Sequence, residues 1–518
     1  MKKILYSVLA IGSLMLASCS MDTEPEGVLT DQDGISTFVD CEAARMGIYS
    51  GMRSFGTGGY IYLTELQMDM FLGTQDNGNR NGPIATGSIY ASNGDITSAW
   101  AGCYSRIGNI NFFIPKVEAL INSGVLTEAQ VAKAKGYIGE AKFARAMYYT
   151  YLFDHFCQSY SEAKANRPGL GLPLVTEFDP SENRDTYKGR STMAETFALI
   201  DKDLKEAFDA LVEFEQIDGS AIAQNSAYVS SYTVEALWAR TYLLRGEGYW
   251  QEAINKADDV IYAGTWSLTP YAAYSQLWSD DQGSELIFRP YVADAGYTEA
   301  AGVSSTGGAW LSTDGRTADY LPTYGCYTTY DQSVVSGNPN DVRLACFFNE
   351  WNLQYHGSTY PAIVFYKYPG NSALNRMDNA LKNMPKLFRL SELYLIKAEA
   401  AYELGDVNTA NQALMDLRAQ RMLTPPTDTY SGDLLRDEIR LERTRELMGE
   451  GFRMSDLRRW NLGFHRVTGF PGYNTDALIR ELDKNVAYTV GDHRYVWPIP
   501  QDEIETNPQI AGQQNPGY

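Results

Sequence analysis

Apolar side chains recur every third or fourth residue along three stretches of the chain, the spacing that lines one face of an α-helix. Over 128–153 the recurring positions are Val131, Ala134, Ile138, Ala141, Tyr148 and Leu152. Small alanines alternate with aromatics on that stripe, which predicts a neighbouring helix at close range. A helical pair is predicted over 234–262: Leu237, Trp238, Ala239, Tyr242 and Leu243 come first, Gly246 and Gly248 break the pattern, and Ala253, Ile254 and Ala257 resume it. A second pair is predicted over 390–421, with Tyr394, Ala398, Ala401 and Leu404, a turn at Gly405-Asp406, then Ala410, Leu414 and Leu417.

Between these blocks the periodicity stops. From 264 to 379, turn residues and aromatics replace it, as in Gly307-Gly308-Ala309-Trp310 and Asp319-Tyr320-Leu321-Pro322-Thr323-Tyr324, and five glycines with several asparagines do the same from 73 to 94. Long irregular stretches in a compact protein are commonly binding loops held by a rigid scaffold. The expected fold is therefore mainly α, with a large region of loops and short β-strands. The two helical pairs share helix, glycine turn, helix, and small residues at the crossing. That unit resembles a degenerate tetratricopeptide repeat, which implies an α-α superhelix of stacked pairs.

Charge narrows the partners. The 518 residues carry a net charge of −21, which argues against nucleic acid, whose phosphates require a basic surface. It also argues against adsorption on an anionic bilayer by charge alone. Tyr (36) outnumbers Phe (20), so many rings combine an apolar face with a hydroxyl. At the N-terminus Lys2 and Lys3 precede an apolar run too short to span a bilayer, and Leu16-Ala17-Ser18-Cys19 resembles a bacterial lipobox. The resemblance implies cleavage before Cys19 and a diacylglycerol on its thiol, followed by a polar, proline-broken tether. The other cysteines, Cys41, Cys103, Cys157, Cys326 and Cys346, are odd in number and form no CxxC, so free thiols are expected.

Catalytic signatures are missing: there is no HExxH, GxSxG, Walker loop or dinucleotide-binding glycine pattern. The four histidines, His155, His356, His465 and His493, are not paired at ligand spacing. Asp31-Gln32-Asp33-Gly34 lacks the later acidic residue of a calcium loop. No cofactor or metal is expected. In Arg440-Leu441-Glu442-Arg443-Thr444-Arg445-Glu446, helical spacing pairs Glu442 with Arg445 and Arg443 with Glu446, a structural network rather than a reactive one.

Four further motifs resemble those of the SusD/RagB-like nutrient-binding lipoproteins. They are Gly139-Glu140-Ala141-Lys142-Phe143-Ala144-Arg145-Ala146 with Leu172-Pro173-Leu174-Val175; Arg389 and Glu392 through Ala398-Glu399-Ala400; Glu442-Arg443, Glu446-Leu447, Glu450-Gly451, Arg453, Asp456-Leu457 and Arg459-Trp460; and Trp497-Pro498-Ile499-Pro500 to Gln514-Asn515-Pro516-Gly517-Tyr518. The resemblance implies a non-enzymatic outer-membrane lipoprotein facing the cell exterior, which binds oligosaccharide and partners a SusC-like TonB-dependent transporter. The chain divides accordingly into a signal peptide (1–18), a lipidated tether (19–40), an N-terminal helical region (41–265) and a C-terminal region with variable loops (266–518), the last two packed as one globule. A peptide-binding relative of the same family and a surface glycosidase are the alternatives. A neutral sugar needs aromatic planes and hydrogen-bonding rims. The candidates are Trp310, Tyr320, Tyr324, Tyr327 and Trp351, with Asp314 and Arg316 beside them and Asn79, Asn81 and Tyr90 from the earlier loop.

Overall fold

The computed structural model describes residues 34–181, 183–291, 307–374 and 381–518. Cys19, its lipobox and the acidic run at 31–33 lie outside the described residues. The fold is mainly helical. Helix α1 (Phe38–Phe55) starts inside the stretch read as tether, because Thr37 and Asp40 form a capping box. Helix α2 (Gly59–Gln67) follows, then α3 (Gly94–Asn122), α4 (Glu128–Phe156) and α5 (Met193–Glu215). The first predicted pair is α6 (Ser231–Arg245) and α7 (Trp250–Ile261), and the second is α8 (Leu390–Glu403) and α9 (Val407–Ala419). Helices α10 (Gly432–Leu447) and α11 (Arg453–Arg459) complete the set used here.

Helices α3 to α7 pack each on the next, and α7 continues onto α8, which also meets α9 and α10. The result is a curved stack of helix pairs, as the small-residue stripes require. Helices α4 and α5 cross at close range. A Cβ at Gly136 would stand 2.6 Å from the Phe214 ring, and one at Gly139 3.0 Å from Ala210 Cβ.

Buried ion pairs fasten the stack, and they come from the sequence motifs. Arg145 grips Asp203 through two 2.7 Å bonds and donates to Asn111, joining α4 to α5 and α3. Glu140 accepts from Arg45 and Tyr49 of α1. Glu392 accepts from Arg240, and Glu399 from Arg459 and the Trp460 indole. The terminal motif threads back to the first helices: the Trp497 indole N–H donates to Gln67, and the Asn515 amide to the Phe156 and Trp497 carbonyls.

The irregular region has its own core, in which Trp278, Trp310, Tyr320, Leu321, Phe347 and Phe365 are buried with Leu66, Phe71 and Leu72. Its strands pair two by two and antiparallel: β1 (Phe71–Gly73) with β3 (Tyr320–Pro322), and β2 (Leu286–Phe288) with β6 (Phe388–Arg389). Strands β4 (Phe348–Tyr355) and β5 (Ser358–Phe365) form an eight-residue hairpin. Its two-residue turn, His356-Gly357, has positive φ at both positions (48° and 75°), the turn geometry that matches strand twist.

Glu446 of α10 joins this second core to the stack. It is fully buried and accepts from Arg389 (2.8 Å), Arg421 (2.9 and 3.0 Å) and Arg343 (3.1 Å). Glu285 shares Arg389 and Arg421, Glu442 takes Arg418, Glu450 takes Lys367 and Arg389, and Asp341 takes Arg343. Five carboxylates thus face five cations. The Glu442–Arg445 pair read from helical spacing is present at 3.3 Å. Arg443–Glu446 is not: Arg443 turns to Asp456 (2.8 Å), because Glu446 faces the buried guanidiniums. The described cysteines, Cys41, Cys103, Cys157, Cys326 and Cys346, are free thiols; Cys346 is partly exposed and the other four are buried.

Burial would raise the Glu446 carboxyl, but Arg421, Arg389 and Arg343 hold it well below the ordinary range. Glu446→Ala leaves three buried cations short of a partner. It is expected to destabilise the fold by about 3–5 kcal/mol in a denaturant titration. Glu65 of α2 differs: burial raises it to about 7, against backbone N–H groups of Gly449 and Gly451 that lower it. The folded protein therefore keeps a proton that the unfolded chain releases above pH 4.5. This contribution is complete below 4.5 and is lost as pH rises through about 7. Across that window the stability difference between wild type and Glu65→Gln should change by about 3 kcal/mol, measured by chemical unfolding at several pH values.

Candidate functional site

Four loops meet on one face of the second core. The 74–81 loop is fixed by the Thr74 N–H on the Asp319 carbonyl (2.9 Å), the Gln75 N–H on the Leu478 carbonyl (2.7 Å), and the Arg80–Asp319 ion pair. The 312–319 turn is closed by Asp314, whose carboxylate accepts from the Ser312 hydroxyl (2.6 Å) and the Arg316 N–H (3.0 Å). The Ser312 bond, with the Arg316 N–H, holds the Asp314 carboxyl below its ordinary range. The Arg316 carbonyl accepts from the Gln354 N–H (2.8 Å), tying that turn to the β4–β5 hairpin. Partial burial raises the Asp76 carboxyl, and His356 at the hairpin turn offsets only part of that rise.

The fourth loop, 466–483, closes the face. Arg480 donates to Asn77, Asn79 and Asp483, and the Tyr324 N–H donates to the Val467 carbonyl (3.0 Å). Phe470 lies 5.4 Å from both Tyr324 and Tyr327 and 6.2 Å from Tyr473. Tyr327 also meets Phe348 edge-on at 5.2 Å, and the Tyr473 hydroxyl donates to Glu350 (2.9 Å). Burial and then Glu350 raise both the Tyr327 and the Tyr473 hydroxyls. Tyr324, Tyr327, Phe470 and Tyr473 are half-buried and Glu350 is exposed, so the cluster offers ring surface with a polar rim.

The residues singled out in the sequence scatter around this cluster. Trp310, 1% exposed, is enclosed by Phe71, Phe365 and a stacked Tyr368, and presents no free face. Tyr320, also 1% exposed, spends its hydroxyl on the Arg80 carbonyl. Both are core side chains that shape the face from beneath: β1–β3 pairing turns Tyr320 inward, and Phe71, Phe365 and Tyr368 close around Trp310. Tyr324 and Tyr327 are brought together. Trp351 packs on Tyr366 (5.7 Å), and strand alternation points it away from its neighbour Glu350. Asp314 and Arg316 are exposed at the turn tip. Asn79 accepts from Arg480 (2.9 Å), and the Asn81 amide donates to Asp95 (3.1 Å), so both already have protein partners. Tyr90 is exposed next to Ala91, whose carbonyl accepts from the Gln501 N–H, apart from the ring cluster.

Sequence reading missed Phe470, Tyr473 and Glu350. The signal was there in Gly469-Phe470-Pro471-Gly472-Tyr473, rings set among turn residues, but it lies beyond the irregular stretch that drew attention.

Residues 235–518 match the model of the SusD family, and residues 30–243 match one described as "Starch-binding associating with outer membrane". The chain is 24% identical to SusD-like protein P2 of Formosa agariphila, covering 98% of each chain. It is 22% identical to a SusD-like protein of Bacteroides ovatus, over 97% of this chain and 92% of that one. Among solved structures, a SusD superfamily protein from Bacteroides thetaiotaomicron superposes with a TM-score of 0.74 at 26% identity, covering 93% of this chain and all of that one. A putative sugar binding protein from Bacteroides vulgatus gives 0.72 at 26% identity, covering 94% and 99%.

Replacing Trp310 by Ala should therefore act on the fold, costing about 3–5 kcal/mol in a urea titration. A variant as stable as wild type would contradict its core position.

Proposed function

This chain belongs to the SusD family, and from that premise we propose that it is a surface glycan-binding lipoprotein that passes oligosaccharide to a SusC-like TonB-dependent transporter. The observation that carries the reading is the half-buried cluster of Tyr324, Tyr327, Phe470 and Tyr473 with Glu350 at its rim. Ring faces take the C–H surface of a neutral sugar, and hydroxyl and carboxylate groups take its hydroxyls. The similarity to a putative sugar binding protein supports the same ligand class.

The carboxylates of this face serve as acceptors: Asp319 to Arg80, Asp314 to Ser312, Glu350 to Tyr473 and Asp483 to Arg480. Burial raises Asp76 on this face, but a glycosidase needs a second, free carboxylate beside such an acid, and Asp314, Asp319, Glu350 and Asp483 are each bonded to a protein donor. We therefore take the protein to capture its ligand without turning it over. No described helix is long and apolar enough to cross a membrane. Attachment is assigned to acylated Cys19, and tethering beside a transporter raises the local ligand concentration, so moderate affinity suffices.

One observation favours a second reading, capture of an extended peptide by a member of the same family. Among the described residues strands β4 and β5 pair with no other strand, so an added strand could extend the sheet outside the point where the Gln354 N–H meets the Arg316 carbonyl.

Replacing Tyr327 and Phe470 together by Ala should weaken oligosaccharide binding by about 1–3 kcal/mol per ring, read by calorimetry on hits from a glycan array. Unchanged glycan binding, or binding to peptide pools alone, would remove this assignment. Cys19→Ser should shift the protein from the membrane to the soluble fraction and end its co-purification with a transporter after mild detergent extraction. A serine variant that stays with the membrane would sink the anchor.

A further inference from the structure

A cleft of about 530 Å³ lies between the first half of α3, the 173–188 segment and the short helix Gln501–Thr506. It shares no residue with the ring cluster, and its volume falls within the range of about 300–1,000 Å³ typical of small-molecule sites. Its floor is rigid. The Glu503 carboxylate accepts from the Asn507 amide (2.9 Å) and the Trp100 indole (3.4 Å), and the Tyr104 hydroxyl is committed to the Pro173 carbonyl (2.9 Å). Asn507 is itself fixed by the Lys188 carbonyl (3.0 Å). The half-buried rings of Tyr104 and Tyr187 supply the apolar wall.

Of the other lining residues Pro173 and Val175 are apolar, and the Thr186 hydroxyl is bonded to the Asn183 carbonyl (2.9 Å). No described residue bonds to the side chains of Glu177, Asp179 and Lys188 or to the Tyr187 hydroxyl. A fixed acceptor, two ring edges and several free donors and acceptors suit a ligand dense in hydroxyls. Three carboxylates against one ammonium disfavour an anionic one.

We propose that this cleft is a second saccharide site, taking a neutral mono- or disaccharide and rejecting uronic acids. The inference rests on the sugar-binding reading above but not on the ring cluster. A second site of this kind lets one chain hold two points of a long glycan, which raises avidity without tighter contacts.

The test uses the full chain in three forms: wild type, the cluster variant Tyr327→Ala/Phe470→Ala, and that variant with Tyr187→Ala added. Glu503→Gln in the cluster variant provides a milder, isosteric change. Saturation-transfer NMR is run with maltose, cellobiose, lactose and xylobiose as probes and digalacturonate as the anionic control, with thermal unfolding to confirm the fold. The cluster variant should still bind at least one neutral disaccharide and not digalacturonate, and Tyr187→Ala should weaken that binding about tenfold or more. If the cluster variant binds no neutral probe, or if neither cleft substitution changes binding, the second site is overturned. If the cluster variant binds every sugar as wild type does while Tyr187→Ala abolishes binding, the cleft stands and the ring-cluster reading fails.

Discussion

Glu446 is buried in full and reached by three guanidiniums, each of which arrives from a different part of the chain. Moving one carboxylate and three arginines out of water is costly unless every charge finds its counterpart. The counterparts come from Glu285, Asp341, Glu442 and Glu450, so the cost is offset only when β2, β6, the start of the short helix Val342–Phe347 and α10 all converge. This condition pins an irregular region, which has few backbone ladders of its own, against the helical stack.

The same logic runs through the helices. Glu140, Arg145, Glu392, Glu399, Glu446 and Glu450 are among the charged residues of the recognisable motifs, and each of these is buried in an ion pair between elements distant in sequence. An unpaired buried charge would unfold the chain, so these residues report the architecture. They say little about the ligand. The groups proposed to meet the ligand, Tyr324, Tyr327, Phe470, Tyr473 and Glu350, are half-buried or exposed on short elements and loops at the surface, where side chains can change without disturbing the core.

Burial separates the two kinds of aromatic in those loops. Trp310 and Phe365 fill the core under the face, whereas Tyr327 and Phe470 keep part of each ring exposed on top of it. Both kinds occur among glycines and prolines, so residue type alone does not tell a platform from a foundation. The cleft at Trp100, Tyr104 and Glu503 adds a further point: a site can be assembled from segments that each look structural, here a helix, an extended segment after α4 and a C-terminal turn.

The sequence by itself determined five of the helices and two of their pairings. The three-four periodicity of 128–153, 234–262 and 390–421, with glycines at 246 and 405, reappears as α4, α6–α7 and α8–α9. These signals are local, set by which side chains share a helix face. Local spacing also found the Glu442–Arg445 pair, but it assigned Glu446 to Arg443, since nothing local shows that three distant arginines compete for it. Tertiary structure alone decided that Trp310 and Tyr320 turn inward, that Trp351 faces away from Glu350, and that Phe470 joins Tyr324 from almost 150 residues away in the chain. Burial and proximity in a loop region are set by long-range pairing of short strands and ions, and no period in the sequence encodes those contacts.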